Sequence, residues 1–148
     1  MAPPDRSLDL LVFAAAGARF GLDAAQIEEL RAAPQADPVT GEPPAGLFVR
    51  RADRDVPVVE LADVLGMGRP VPPGTGKLAL ARSAEPAVCF HIGDPEEMVR
   101  VPADKIFMLP PLIEAMVRGR GMWGLALHDE QLVILVDLEE AAARALHG

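Results

Sequence analysis

"LVILVD", Leu132 to Asp137, decides the fold. Five apolar residues in succession lack both the alternation of a strand with one wet face and the 3.6-residue spacing of a surface helix. A short run of this kind reads as a strand buried on both faces, which belongs inside a barrel or between two layers. Just before it, "GLALHDEQ" (Gly124 to Gln131) supplies a partner strand turning at His128 to Gln131. Just after it, the end of the chain reads as a C-terminal helix. Asp137 can cap that helix, its carboxylate accepting from an orphan amide, while Glu139 and Glu140 favour the positive end of the dipole.

The rest of the chain is cut into short pieces by fifteen prolines and thirteen glycines, which leave little room for long helices. "LDLLVFAAAG" (Leu8 to Gly17) followed by "ARFGLD" (Ala18 to Asp23) predicts a hairpin, with Gly17 supplying a positive φ in the turn. "AAQIEELRAAP" fits a short helix or a bent strand. "QADPVTGEPPAG" (Gln35 to Gly46) reads as a surface loop. Two apolar runs, Leu47 to Val49 and Val56 to Val59, flank a charged turn from Arg50 to Asp55 and predict a second hairpin. In "ELADVLGMG" the apolar Leu61, Val64 and Leu65 stand at helical spacing, and Gly66 provides a stop. "GRPVPPGTG" then separates two halves. Beyond it lie two apolar runs around Ser83 to Pro86, and a strand that turns near Pro102 and Ala103 before Ile106, Phe107 and Met108. The expected architecture is all-β: two similar halves of about five short strands each, with short helices and a C-terminal helix.

Composition narrows the function. Of 148 residues, 22 are acidic and 14 basic, a formal charge of −8, and only 4% are aromatic. Such a chain offers neither a cationic track for phosphates nor a stacking platform for bases, so nucleic acid is not an expected partner. No apolar run approaches the roughly 20 residues of a membrane-spanning helix, and the start, "MAPPDRSLDLLVF", is not a secretory signal, so the expected location is the cytoplasm. Cys89 is the single cysteine and excludes an internal disulfide. His91, His128 and His147 form no ligand pair, so no metal site is expected.

One motif argues for an enzyme. "VPPGTGK" (Val71 to Lys77) looks like a phosphate-binding loop, and Asp137 could then hold magnesium. That loop needs a glycine where Val71 stands and a hydroxyl where Leu78 stands, so two of its defining residues are missing. A flexible linker with a lysine at its edge is the plainer reading. Cys89 and His91 share a strand face, but no orienting group or oxyanion loop accompanies them. The acid pairs Glu28/Glu29, Glu96/Glu97 and Glu139/Glu140 are adjacent in sequence and do not face each other on a regular element. No catalytic residue is assigned.

Four stretches, "RFGLDAAQIEELR" (Arg19 to Arg31), "VPVVELADVLG" (Val56 to Gly66), "VRVPADKI" (Val99 to Ile106) and "LALHDEQLVILVDLEEA" (Leu125 to Ala141), resemble the CheW-like domain in order and spacing. The resemblance implies a single domain over residues 8–146 made of two SH3-like five-stranded barrels side by side, with subdomains interleaved around a linker near 67–77. It also implies a non-enzymatic adaptor, with no cofactor of its own, that couples chemoreceptors to a CheA-type histidine kinase, cytoplasmic and recruited to receptor arrays at the membrane's inner face. Residues after the first hairpin help to line the family's receptor groove, here Ala24, Ile27 and Glu29, with Arg50, Arg51 and Arg54 as candidates for a charged rim. The family's structural pattern falls on Phe20, Gly21, Leu22 and Asp23, then on Val56, Pro57, Glu60, Leu61, Leu65 and Gly66. The turn "RRADRD" departs from the family's arginine-glycine pair, and Ile92-Gly93 stands where a valine-aspartate pair is usual. These departures leave a second expectation open: a specialised CheW-like module that binds a kinase or another partner without binding receptors.

Overall fold

Twelve strands and three helices carry the described residues, 7–15, 17–32, 38–40, 47–51, 54–67, 75–82 and 87–147, of a computed structural model; for 38–40, 47–51, 54–55 and 147 only the backbone is described. In chain order these are β1 Ser7–Ala15, β2 Ala18–Asp23, β3 Ile27–Ala32, β4 Pro38–Thr40, β5 Leu47–Arg51, β6 Arg54–Glu60, α1 Leu61–Val64, β7 Lys77–Ala81 and β8 Cys89–Ile92. Then come β9 Pro95–Pro102, β10 Ile106–Met108, α2 Pro111–Val117, β11 Met122–His128, β12 Gln131–Val136 and α3 Leu138–His147.

The strands form two curled sheets of six, ordered β10-β11-β12-β2-β1-β9 and β3-β7-β8-β6-β5-β4. Each repeats one plan. A hairpin (β11/β12 or β7/β8) lies beside a second hairpin (β2/β1 or β6/β5), joined by the sheet's one parallel pair, Phe20 opposite Ile134 in the first and Val58 opposite Cys89 in the second. The two similar halves expected from the sequence are therefore present, each with six strands instead of about five.

Three apolar clusters explain the hydrophobic runs. Leu10, Val12, Val133 and Leu135 point into the first barrel, while Val56, Leu78, Leu80 and Cys89 fill the second. The alternate residues of the same strands, among them Leu11, Phe13, Ala79, Phe90 and Val136, meet in a shared core that α1 and α3 close with Leu61, Leu138 and Ala141. Because β1, β7, β8 and β12 are buried on both faces, apolar residues follow one another without alternation. Leu132 departs from that reading. It is 58% exposed, because β12 begins beyond the edge of both cores.

Glycines serve tight contacts here. Gly21 faces the first barrel, where a Cβ would come within 2.9 Å of the Val133 Cγ1. Gly17 and Gly66 take positive φ at the first hairpin turn and at the stop of α1, as expected. The turn of the β11/β12 hairpin is made by Asp129 and Glu130, both non-glycine residues at positive φ.

Four expectations change. Residues 68–74 lie outside the described residues, but the strands on either side, β6 and β7, share one sheet, so this stretch does not separate the halves. The chain passes between sheets after Asp23 and after Ile92, where Gly93 approaches the Ala14 carbonyl so closely that a Cβ would sit 3.0 Å from it. The loop expected over 35–46 contains β4, which pairs with β5. The charged turn is shorter than Arg50 to Asp55, since β5 runs to Arg51 and β6 starts at Arg54. Finally, α2 follows Pro110-Pro111, where no helix was expected; Pro111 is tolerated at the first helical position because its missing N–H has no intrahelical partner there.

Candidate protein-docking surfaces

The corner after β2 is built by capping. Asp23 accepts from the Ala25 amide at 2.9 Å, which turns the chain through one 3-10 turn, Ala24–Gln26, into β3. Gln26 then reaches across to α3: its Nε2 donates to the Asp137 Oδ1 at 2.9 Å, and its Oε1 accepts from the Leu138 amide at 2.8 Å. Arg82 braces the same corner, donating to the carbonyls of Ala25 and Ile27. Ala24 is half-buried on this turn. Ile27, also half-buried, packs against the shared core, and Glu29 accepts from the Arg31 Nε at 2.6 Å.

Arg50, Arg51 and Arg54 belong to the β5/β6 hairpin, where Arg50 is opposite Asp55 and Arg51 opposite Arg54. In strand order β6 and β5 stand three and four places from β3, so the two groups of candidate residues occupy different parts of the second sheet. The family-pattern residues have structural duties. Phe20 and Leu22 are fully buried, and Phe20 stacks on Phe13 with centroids 5.8 Å apart. Val56, Leu61 and Leu65 are core residues, and Pro57 is opposite Phe48.

Glu60 holds the buried His91: their Oε1 and Nδ1 are 2.5 Å apart, and the His91 Nε2 is 2.7 Å from the Thr75 carbonyl oxygen. A carbonyl only accepts, so Nε2 carries a hydrogen and ties the end of the "VPPGTGK" stretch to β8. Lys77 then opens strand β7. A phosphate-binding loop leads into a helix, whereas this stretch leads into strand β7. Asp137 is a helix cap, accepting from the amides of Glu139 at 3.0 Å and Glu140 at 3.4 Å. Both ring nitrogens of His91 are engaged away from Cys89, which lies in the second barrel's core. Among the described residues no group of three or more His, Cys, Asp or Glu could hold a metal, and no helix is long and apolar enough to cross a membrane.

An exposed apolar surface around α2 was not anticipated from the sequence. Met108 on β10 is 83% exposed, and Leu112 and Met116 on α2 are 73% and 70% exposed, with Phe107, Ile113 and Trp123 partly open beside them. No residue of α2 is buried. Between α2, the end of α1 and the outer face of β11 and β12 runs a groove of about 550 Å³, floored by Leu65, Met67, Met122 and Ile134. The spacing of Leu112, Ile113, Met116 and Val117 after a proline pair is the signal that could have revealed this helix.

The sequence matches the CheW-like domain over residues 9–145. No curated protein matches the chain. Among solved structures, the fold is similar to the scaffolding protein TtCheW from Thermoanaerobacter tengcongensis, with a TM-score of 0.72 at 17% identity, covering 90% of this chain and 91% of that one. Two barrels of one plan, a capped corner after the first hairpin, and a family match along almost the whole chain lead to one conclusion: this protein belongs to the CheW-like domain family.

Proposed function

We propose that this protein is a non-enzymatic adaptor that couples chemoreceptors to a CheA-type histidine kinase, working in the cytoplasm at receptor arrays. Family membership sets the class, and the observation that carries the reading is the exposed cluster of Met108, Leu112, Ile113 and Met116. Apolar side chains grouped in this way on a folded domain mark a protein-docking surface. In this reading the Ala24–Ile27–Glu29 corner faces the receptor tip, and the α2 face is a second docking surface. Adaptor function then depends on a rigid body holding two partners at a fixed distance.

The test is a pull-down with a kinase regulatory domain and, separately, a receptor-tip fragment, comparing the unmodified chain with Ile27→Glu and Leu112→Glu. Coupling predicts that both partners bind, that Ile27→Glu weakens the receptor arm alone, and that Leu112→Glu leaves that arm intact. If neither partner binds, the coupling role is wrong.

The glycine-free β5/β6 turn favours a second reading, a module that binds a kinase or another protein without a receptor. Kinase binding with no receptor binding would select it. The nucleotide reading predicts thermal protection by MgATP that is lost in Lys77→Ala. With Lys77 at the start of a strand, no protection is expected.

A further inference from the structure

We propose that the groove beside α2 is the docking site for a short amphipathic helix that carries a carboxylate. This deepens the adaptor reading by naming the chemistry of one partner, and the site is distinct from the Ala24–Ile27–Glu29 corner. Three properties of the lining lead to it.

First, among the described residues the lining contains a single polar side chain, Arg120. An extended peptide laid here would bring unpaired amides and carbonyls against apolar walls, whereas a helix satisfies its own backbone. The occupant is therefore helical and presents an apolar stripe, as in other helix-in-groove complexes.

Second, Arg120 fixes the sign of the charge that the stripe must carry. Its guanidinium lies over Gly66, so close that a Cβ there would meet Nη1 at 2.6 Å, and Gly119 and Gly121 on either side of it take positive φ. Arg118 pairs with Glu114 at 3.7 Å, but Arg120 makes no ion pair and no side-chain hydrogen bond among the described residues. In a chain of net charge −8, a cation held at an apolar groove selects an acidic partner and disfavours a basic one.

Third, methionines are prominent among the apolar residues of this face. Met67, Met116 and Met122 line the groove beside Leu65, Leu109 and Leu125, and they are three of the six methionines in the chain. Flexible thioether side chains repack around varied apolar shapes, so the stripe can differ in sequence while the charge supplies the selectivity.

The experiment titrates the full chain with a labelled, stapled amphipathic helix bearing a leucine stripe and one glutamate at its edge, and with the same peptide carrying lysine in that place. The unmodified protein is expected to bind the glutamate peptide about tenfold more tightly than the lysine peptide. Arg120→Glu reverses the order, Arg120→Met abolishes the difference, and Met116→Glu, at an exposed position that leaves folding intact, weakens both peptides. Circular dichroism and thermal melts confirm that each variant is folded. Absence of binding, equal affinity for both peptides, or indifference to Met116→Glu overturns the proposal. So does a chain that sediments alone as a dimer dispersed by Met116→Glu, since the groove then serves a second copy. No kinase or receptor fragment enters this titration, so its failure leaves the coupling reading to be judged by its own test.

Discussion

Replacing Asp137 by alanine tests how the two ends of the fold are tied together. In the structure its Oδ1 accepts from the amides of Glu139 and Glu140 and from the Gln26 side chain. Losing the N-cap alone costs about 0.5–2 kcal/mol. Losing the cross-chain bond to Gln26 adds about 0.5–1.5 kcal/mol, since that amide is part-buried and keeps no equivalent acceptor. The expected loss is about 2 kcal/mol, seen as a fall of about 4–8 °C in the thermal midpoint of a chain this size. Asp137→Asn, which keeps an acceptor oxygen, should lose about 0.3–1 kcal/mol through the helix dipole. Urea unfolding of Asp137→Ala, Gln26→Ala and the double variant completes a thermodynamic cycle, with an expected coupling of about 0.5–1 kcal/mol. A loss below about 0.5 kcal/mol in Asp137→Ala, or strict additivity in the cycle, would refute the view that Gln26 and Asp137 share one cap.

Two further outcomes follow from burial and charge. Leu135→Ala, in the first barrel's core, should cost about 2–5 kcal/mol in urea unfolding, whereas Leu132→Ala, three residues earlier and exposed, should stay within about 0.5 kcal/mol. Equal losses would mean that the facing of β12 is wrong. The hydrogen bond from Arg100 holds the Asp9 carboxyl below the usual carboxylate range. Because the folded value is depressed, the associated stabilisation is present above the ordinary carboxylate value and is lost as pH falls through the lowered one. An NMR titration should return Asp9 to the ordinary value in Arg100→Gln, and an unchanged titration would show that another group causes the shift.

Reading the sequence recovered the elements whose cause is local. Gly17 marked the first hairpin turn, Gly66 the stop of α1, Asp137 the cap of α3, and "LVILV" the strand with two buried faces. The interleaving of the sheets was harder to see, because it depends on which strands pair at long range and not on any property of residues 67–77. β4 escaped because a three-residue strand is too short for periodicity to register. The corner residues Ala24, Ile27 and Glu29 were suggested by family resemblance, and Gln26, which ties that corner to α3, passed as an ordinary polar residue. The exposed face on α2 was missed for a physical reason: apolar side chains that pack on nothing look in a sequence like those that build a core. Arg120 gave no signal at all, since its role depends on lying over Gly66, more than fifty residues away.

The interleaved path also sets an order of assembly. β1 pairs with β9, Leu8 opposite Val101, and β2 pairs with β12, Phe20 opposite Ile134, so the first barrel joins segments about a hundred residues apart. All six strands of the second barrel lie between them. As the chain leaves the ribosome, the opening hairpin must wait for its neighbours while the second barrel emerges complete. Closing such long loops slows folding, and both edges of the waiting hairpin are open to pairing with other chains. The barrel made first in sequence is therefore finished last, and a single cut between β2 and β9 cannot release either barrel with its strands in one continuous piece of chain and the other intact.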